Sequence, residues 1–307
     1  AAELSDRIRL RLNALARKGI GAADEARSQP VTVSTYHAYA AALLSDHGLR
    51  LGLDGTTRLV GEAGAWQIVD ELVERWDGPM SAVDSARATV VDAVLALAGE
   101  CAEHLVGVEA VDAVLADIVE RVVELPAKLG DRAPGRPGAE VRKVLERLTA
   151  RRQVLPLVTA YLRRKRELGV LDFGDQVALA ARLALEVPEV AAAERARYRV
   201  VLLDEYQDTS HAQLALLRAL FGGGHPVTAV GDPHQSIYGW RGASAGNLQR
   251  FPQDFPELDP GAGVRRPAAV AQLATSWRND HAVLSVANHL AAPLRQGAPW
   301  APHAPSV

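Results

Sequence analysis

The sequence predicts an α/β fold in which a parallel sheet is interrupted by an all-helical segment. Two apolar runs, at residues 200–203 and 227–230, each lead into acidic or polar residues, as buried parallel strands do at the edge of an open sheet. Apolar residues at helical spacing surround these runs. From residue 66 to residue 168 the pattern is helical throughout, so we expect one sheet domain with a helical insert.

The elements before the insert follow one another in the order typical of α/β proteins. Apolar residues recur at helical spacing from Leu4 to Leu15, and Gly19 is a plausible stop, which predicts an amphipathic helix. Residues 31–35 form a short segment rich in β-branched side chains, which predicts a strand, and residues 36–44 are predicted to continue as a helix.

The α/β rhythm returns after the insert. Pro and Gly at residues 131–138 mark an exposed loop within the helical segment. From Leu171 onward the pattern predicts a helix at 175–186, a strand ending at Asp204, a helix near 213–221 and a strand ending at Val230. The insert therefore divides one sheet domain into two parts.

Composition narrows the class of protein. The chain has 307 residues, of which 48% are hydrophobic, enough to bury one large core or two modest ones. Its only cysteine, Cys101, rules out a disulfide framework and favours a reducing, cytoplasmic location. No apolar run reaches the roughly 18 residues of a membrane span. A net charge of −3 argues against a dedicated basic DNA-binding domain, and the basic run at 163–166 reads better as a solvated helix end than as a DNA site.

The strand that ends at residue 203 delivers two adjacent carboxylates, Asp204 and Glu205. In a nucleotide-hydrolysing core, one such acid holds Mg²⁺ and the other orients or deprotonates the attacking water. The alternative is a strand followed by an ordinary acidic turn.

The segment GDPHQSIYGWRGA, residues 231–243, follows the second strand and carries more than a turn requires. It contains Gln235, Tyr238, Trp240 and Arg241, and Tyr206 lies beside the first strand end. Aromatic platforms that stack on single-stranded bases would explain this concentration, and core packing beneath loops is the alternative.

These segments carry a resemblance to a known family. VLLDEYQDTS, VTAVGDPHQSIYGWRGA and LATSWRND resemble motifs II, III and IV of superfamily-one DNA helicases of the UvrD, Rep and PcrA type. VSTYHAYAAALL resembles the TFH segment of that family, and GVLDFGDQ resembles its LDFDDL segment. Within the family, the residues of motifs II and III look most like those of actinobacterial helicase-nuclease motor subunits.

The resemblance implies a RecA-like P-loop NTPase sheet interrupted by a helical subdomain, and it assigns roles to individual residues. Asp204 would coordinate Mg²⁺, Glu205 would be the catalytic base and Gln235 would sense the γ-phosphate of ATP. Trp277, where the family usually has tyrosine, would stack on the adenine, and Arg278 would stabilise the transferring phosphoryl group. A plain loop amide and a surface arginine are the alternatives for Gln235 and Arg278. The implied DNA contacts are Thr35, Tyr36, His37, Tyr238, Trp240 and Arg241.

The resemblance also implies an activity and its partners. The expected function is ATP-dependent translocation on single-stranded DNA with unwinding, in the 3′ to 5′ direction, during repair or recombination. Junction DNA and a second motor or nuclease subunit are the expected partners, and no membrane is involved. The predicted domains are 1–80 and 169–280 for the two parts of the RecA-like domain, 81–168 for the helical insert, and 281–307 for the start of a second RecA-like domain or a tail.

One essential part of such a site is not in the sequence. A P-loop ends in Gly-Lys-Ser/Thr, whose backbone amides and lysine neutralise the phosphates, and this chain contains no Gly-Lys dipeptide. We expect the phosphate loop to have been lost from this fragment, which should not hydrolyse ATP by itself. The alternative function is a non-catalytic, helicase-like scaffold or DNA-binding subunit.

Overall fold

The computed structural model describes residues 2–19, 31–53, 57–83, 85–125, 137–237, 239, 245–259, 261 and 263–296. Most of these residues are helical, and the strands are short. The helices in chain order are α1 (Ala2–Arg17), α2 (Tyr36–His47), α3 (Glu62–Glu74), α4 (Arg87–Glu103), α5 (Val108–Val123), α6 (Ala139–Leu168), α7 (Phe173–Glu186), α8 (Pro188–Arg197), α9 (His211–Phe221), α10 (Ala245–Asp254) and α11 (His281–Gln296). The strands are β1 (Arg58–Leu59), β2 (Val170–Leu171), β3 (Val201–Leu203), β4 (Val227–Ala229), β5 (Glu257–Leu258) and β6 (Arg265–Arg266).

The described strands associate in pairs. β1 is parallel to β2, β3 is parallel to β4, and β5 is antiparallel to β6. In the β3–β4 pair, Val201 lies opposite Val227 and Leu203 lies opposite Ala229. The helix-rich fold with small parallel sheets is compatible with the predicted class, but the described strands do not show the continuous RecA-like sheet.

The strand predicted at residues 31–35 is wrong. These residues belong to no strand, and Thr35 instead caps α2 by accepting a hydrogen bond from the backbone N–H of Ala38 at 3.2 Å. β-Branched residues favour strands because they pack well on a half-buried pleated surface. Val31 has no such surface, since 47% of it is exposed.

The helices predicted around the two strand ends are confirmed, with earlier starts. α7 begins at Phe173 because Asp172 and Asp175 form a reciprocal capping box at its first turn. α9 begins at His211 for the same reason, with Ser210 and Gln213 as the two members of the box. Capping residues therefore set both starts two residues before the positions that hydrophobic spacing alone predicts.

Two hydrophobic cores organise the described chain. One, which we call the strand-side core, is formed around β3 by α2, α7, α8, α9 and α10, and its largest fully buried side chain is Tyr206. The other, the helical core, is formed by α3 to α6 and includes Cys101 and Tyr161. Ala65 and Val69 of α3 belong to the helical core, although they precede the boundary that we placed at residue 80. The domain division itself stays a prediction.

The basic run at the end of α6 contains one residue that the sequence misplaces. Arg163, Arg164 and Arg166 are exposed as predicted, but only 3% of Lys165 is exposed. Its ammonium lies 2.6 Å from Asp172 Oδ2 and 2.6 Å from Asp175 Oδ2. The solvated helix end is therefore wrong for Lys165, because the two carboxylates that open α7 turn back onto it.

None of the helices in the described part of the chain combines the length and apolar character needed to cross a membrane.

Candidate functional site

The parallel pairing of β3 with β4 brings the two acid-bearing segments to one edge. The N–H of Val230 donates to Leu203 O at 2.8 Å, and the N–H of Tyr206 donates to Val230 O at 3.0 Å. Asp204 and Glu205 leave β3 at this edge with both side chains exposed. Since parallel strands end at the same edge, the turn that contains Gln235 begins beside them.

The backbone at Glu205 is strained. Its φ of 50° and ψ of 41° place it in the left-handed region, and among the described non-glycine residues only Leu105 shares a positive φ. Such a conformation costs about 1–3 kcal/mol and persists where the surroundings enforce it, most often at functional sites. The left-handed conformation of Glu205 turns the chain sharply after Asp204. Asp204 Oδ1 accepts a hydrogen bond from the Glu205 N–H at 3.1 Å.

The carboxylates suit Mg²⁺ bound together with a nucleotide better than a metal held by protein alone. The described residues contain no group of three or more Asp, Glu, His or Cys side chains able to hold a metal ion. Mg²⁺ that serves nucleotides needs only one or two carboxylates, with phosphates and water completing the shell. Asp204 fits that requirement.

Asp208 adds a second unusual carboxylate to the same turn. Its Oδ1 is buried and has no hydrogen-bond partner. Burial raises the pKa of Asp208, and the nearby negative charge of Glu205 raises it further. A buried polar atom without a partner is uncommon in folded proteins, so this turn has a second unfavourable feature beside the Glu205 backbone.

Gln235 lies at the end of the Pro233–Gln235 turn and is exposed. Its Nε2 donates to Asp232 Oδ2 at 2.8 Å, and Asp232 Oδ1 accepts from the His234 N–H at 2.9 Å. The amide is thus held by the loop and keeps one face toward solvent. The arrangement suits a group that must meet an incoming phosphate.

The predicted DNA contacts on α2 lie next to this edge. The Tyr36 hydroxyl is 3.3 Å from Thr209 Oγ1. Burial raises the pKa of Tyr36, the hydrogen bond to Thr209 opposes this, and the negative charge of Asp204 adds to the rise. His37 is exposed and meets the Phe173 ring edge-on, with 5.9 Å between the ring centroids.

Other predicted site residues are not gathered at this edge. Trp277 is 94% exposed and, with Arg278, lies in the bend before α11. In the described part of the chain no hydrogen bond, ion pair or ring contact joins either residue to Asp204 or Glu205. Tyr238, Trp240 and Arg241 lie outside the described residues.

One aromatic residue that the sequence offered as a stacking platform is a core residue. Tyr206 is fully buried, with its ring edge-on to Phe251 and Phe255 at centroid separations of 5.3 and 6.4 Å. Core packing therefore accounts for Tyr206, as the alternative interpretation had it.

Comparison with known proteins decides the family. The family of UvrD/REP helicase N-terminal domains matches residues 1–256, most of the chain. The chain belongs to this family. The resemblance seen in the motifs is thereby confirmed at family level, whereas its finer placement among helicase-nuclease motor subunits stays a prediction.

Individual relatives of this UvrD/REP-type chain are longer proteins. DNA helicase II of Escherichia coli K12 is 39% identical over 122 residues, which are 40% of this chain and 16% of the relative. DNA helicase II of Rickettsia typhi is 39% identical over 121 residues, 39% of this chain and 17% of the relative. ATP-dependent DNA helicase UvrD1 of Mycobacterium tuberculosis H37Rv is 36% identical over 148 residues, 46% of this chain and 18% of the relative. The matched part of the chain spans less than a fifth of the length of these relatives.

One concavity in the described part of this UvrD/REP-type chain lies away from the carboxylates. It is a cavity of about 500 Å³ lined by Arg195, Arg265, His225 and the glycines that precede β4. It therefore lies at the start of β4, whereas Asp232 follows the other end of that strand. Arg195 Nη1 donates to Leu220 O at 2.6 Å, so its charge is already directed at the last carbonyls of α9. We therefore place the candidate site at the open edge that carries Asp204 and Glu205.

Sequence reasoning missed one residue of this edge, Gln207. It is buried between Glu205 and the β4 turn, and hydrogen bonds link it to both. A glutamine within a turn belongs to no periodic pattern, so only its position inside the DEYQD segment could have pointed to it.

Proposed function

We propose that this chain is the N-terminal motor part of an ATP-dependent DNA helicase that translocates on single-stranded DNA. The observation that carries the proposal is the meeting of Asp204, Glu205 and the Gln235 turn at the common edge of β3 and β4. Nucleotides bind at that edge of open α/β sheets. The curated relatives named above are DNA helicases, which supports the same assignment.

Each residue at the edge has a role that follows from its chemistry. Asp204 would hold Mg²⁺, which would neutralise charge on the phosphates when bound. Glu205 would accept a proton from the attacking water, since its carboxylate is exposed at the edge. Gln235, an amide able both to donate and to accept, would contact the γ-phosphate.

The residues outside this edge complete the proposal. Arg278 would stabilise negative charge on the transferring phosphoryl group, and Trp277 would stack on the adenine. We propose that Thr35, Tyr36, His37, Tyr238, Trp240 and Arg241 contact the DNA. The polarity would be 3′ to 5′, the setting DNA repair or recombination in the cytoplasm, and junction DNA and a second motor or nuclease subunit the partners.

The decisive experiment compares the natural-length protein with its Glu205→Gln variant. We expect single-stranded DNA to stimulate ATP hydrolysis and the variant to lose about 10²- to 10⁴-fold in kcat while retaining DNA binding, because only the proton acceptor is removed. Glu189→Gln, the same change at an exposed position of α8, is the matched control and should hydrolyse ATP like the wild type.

Two results would contradict the proposal in different ways. Binding of DNA by the natural-length protein without ATP hydrolysis would favour the helicase-like scaffold. Hydrolysis that survives in Glu205→Gln would leave the motor in place and remove Glu205 from the chemistry. The 307-residue chain, which has no Gly-Lys-Ser/Thr segment, should show no DNA-stimulated hydrolysis by itself.

A further inference from the structure

Gln207 is a deeply buried polar residue next to the proposed catalytic base. Only 1% of the residue is exposed, and it lies two positions after Glu205 in the Tyr206–Asp208 turn. A buried amide must have its hydrogen bonds made within the protein. Gln207 Nε2 donates to Glu205 Oε2 at 2.7 Å, and Gln207 Oε1 accepts from the Asp232 N–H at 3.1 Å.

The chemistry of these partners fixes the orientation of the amide. A backbone N–H can only donate, so the atom of Gln207 that faces Asp232 must be the oxygen. The NH₂ group then necessarily points at the Glu205 carboxylate. Glutamate at position 207 has the same shape, but it would set a second carboxylate oxygen against Glu205.

The contacts of Gln207 continue to the proposed phosphate sensor. Asp232, whose N–H is bound by Gln207, accepts from Gln235 Nε2 through its own Oδ2. The Ser236 hydroxyl donates to the backbone O of Gln207 at 3.3 Å. Glu205, Gln207, Asp232 and Gln235 thus form one hydrogen-bonded series, which we call the relay.

Gly231 leaves the room that this relay needs. A Cβ at position 231 would lie 2.6 Å from Gln207 Oε1 and 3.2 Å from the Gln207 backbone nitrogen. Only 1% of Gln207 is exposed, so its amide would have to shift within the packed interior to make room for that atom. Any side chain at 231 would therefore displace the amide from Asp232 and Glu205.

We propose that Gln207 is a positioning residue that aligns the Glu205 carboxylate with the Gln235 loop. The inference rests on the proposed function. The Glu205 side chain is exposed, and the hydrogen bond from Gln207 holds one of its two carboxylate oxygens. A displacement of the loop at Asp232, such as DNA binding beside Gln235 would cause, is passed through the buried amide to the base.

The test uses Gln207→Glu in the natural-length protein, with Asn247→Asp as matched control. Asn247 is likewise buried and donates through Nδ2 to Thr209 O at 2.8 Å, but it has no bond to the relay. We expect Gln207→Glu to lower the DNA-stimulated kcat on the order of 100-fold, the cost of a misaligned catalytic group, with KM for ATP and DNA affinity within about threefold of wild type. Asn247→Asp should leave kcat within about threefold.

A second variant approaches the same contact from its other side. Gly231→Ala displaces Gln207 sterically and should reproduce the loss in kcat, so the inference stays testable if Gln207→Glu fails to fold. Amide hydrogen exchange at Asp232 should quicken in both variants relative to Asn247→Asp.

The outcomes separate the inference from the proposed function. A wild-type protein with DNA-stimulated hydrolysis whose folded Gln207→Glu or Gly231→Ala variant keeps kcat within about threefold would overturn the role of Gln207 alone. A parallel loss in Asn247→Asp would also overturn it, since any buried amide would then matter equally. A wild-type protein without DNA-stimulated hydrolysis would overturn the proposed function and this inference with it.

Discussion

The turn after α6 and the turn after β3 each contain a network of polar side chains, and the two networks differ in where they place their charges. In the first, Lys165 is enclosed between Asp172 and Asp175, and the two acids also form the capping box of α7. In the second, Glu205 has a left-handed backbone and an exposed carboxylate that accepts a hydrogen bond from the buried Gln207. The first network satisfies its charges within the fold, whereas the second leaves its charges where a ligand can reach them.

The pKa directions reflect the same difference. Burial alone would raise the pKa of Asp172, but the charge and hydrogen bond of Lys165 outweigh it and hold that pKa below its usual range. Burial raises the pKa of Asp175, and Lys165, shared with Asp172, does not fully compensate. At the other turn, Asp208 has only burial and the charge of Glu205 acting on it, both in the same direction. The network after α6 therefore contains a cation, Lys165, that compensates its carboxylates, whereas no cation in the described part of the chain acts on Asp208 in the turn after β3.

Removing that cation should have the largest effect on stability. Lys165→Met leaves two half-buried carboxylates without the buried ammonium that pairs with both, and breaking a buried ion pair in this way costs about 3–5 kcal/mol. The free energy of unfolding of the 307-residue chain, from urea denaturation followed by circular dichroism, measures it.

Arg163→Met is the control for this prediction. Arg163 precedes Lys165 by two positions in the same basic run but is exposed, so its loss should change the unfolding free energy by less than about 0.5 kcal/mol. Equal effects of the two substitutions would show that Lys165 is no more than a surface charge.

Lys165 and Arg163 also show which structural features can be predicted from the sequence. Hydrophobic spacing is a local signal, and it predicted α2, α7 and α9, although it placed the starts of α7 and α9 two residues late. The burial of Lys165 depends on acids seven and ten positions later that turn back onto α6, and no local pattern in a run of four cations announces this.

In the candidate site, too, some features could be predicted from local sequence and others depend on tertiary packing. Adjacent acids at the end of an apolar run predicted Asp204 and Glu205 as members of one sheet edge. The left-handed backbone of Glu205 and the burial of Gln207 arise from the packing of the β3 turn against the β4 turn. Residues 31–35 failed as a strand for a related reason, because β-branched residues need a neighbouring strand that the sequence does not reveal.

A smaller and pH-dependent effect should follow from Asp172→Asn. The amide keeps the capping position of α7 but loses the charge-assisted bond to Lys165, at a cost of about 2 kcal/mol at pH 7. The pKa of Asp172 is lowered by folding, so the stability it contributes is complete above the unfolded pKa of about 3.9 and is lost as pH falls through the folded pKa.

The gap in unfolding free energy between wild type and Asp172→Asn should therefore shrink as the pH falls below about 4. Urea titrations between neutral and acid pH measure it. A gap that stays constant over this range would mean that the Asp172 charge does not stabilise the fold.

The capping box of α9 allows a neutral counterpart to be tested beside the strained turn. Ser210 Oγ accepts from the Gln213 N–H at 3.4 Å, and Gln213 Oε1 accepts from the Ser210 N–H at 3.2 Å. Ser210→Ala should cost about 1 kcal/mol, the usual loss of a helix N-cap, with Ser34→Ala in an exposed segment as control. No loss in Ser210→Ala would show that the capping box does not stabilise the start of α9.

The smallest effect on stability is expected where the largest effect on activity is proposed. Glu205→Gln retains an oxygen that can accept from Gln207 Nε2, and the side chain is exposed, so the unfolding free energy should change by less than about 0.5 kcal/mol. The same substitution removes the proton acceptor and should lower kcat about 10²- to 10⁴-fold in the natural-length protein. Urea denaturation of the 307-residue chain gives the first value and DNA-stimulated ATPase kinetics the second. A loss of stability comparable to that of Lys165→Met would mean that the Glu205 charge supports the fold, and the contrast between the two networks would then fail.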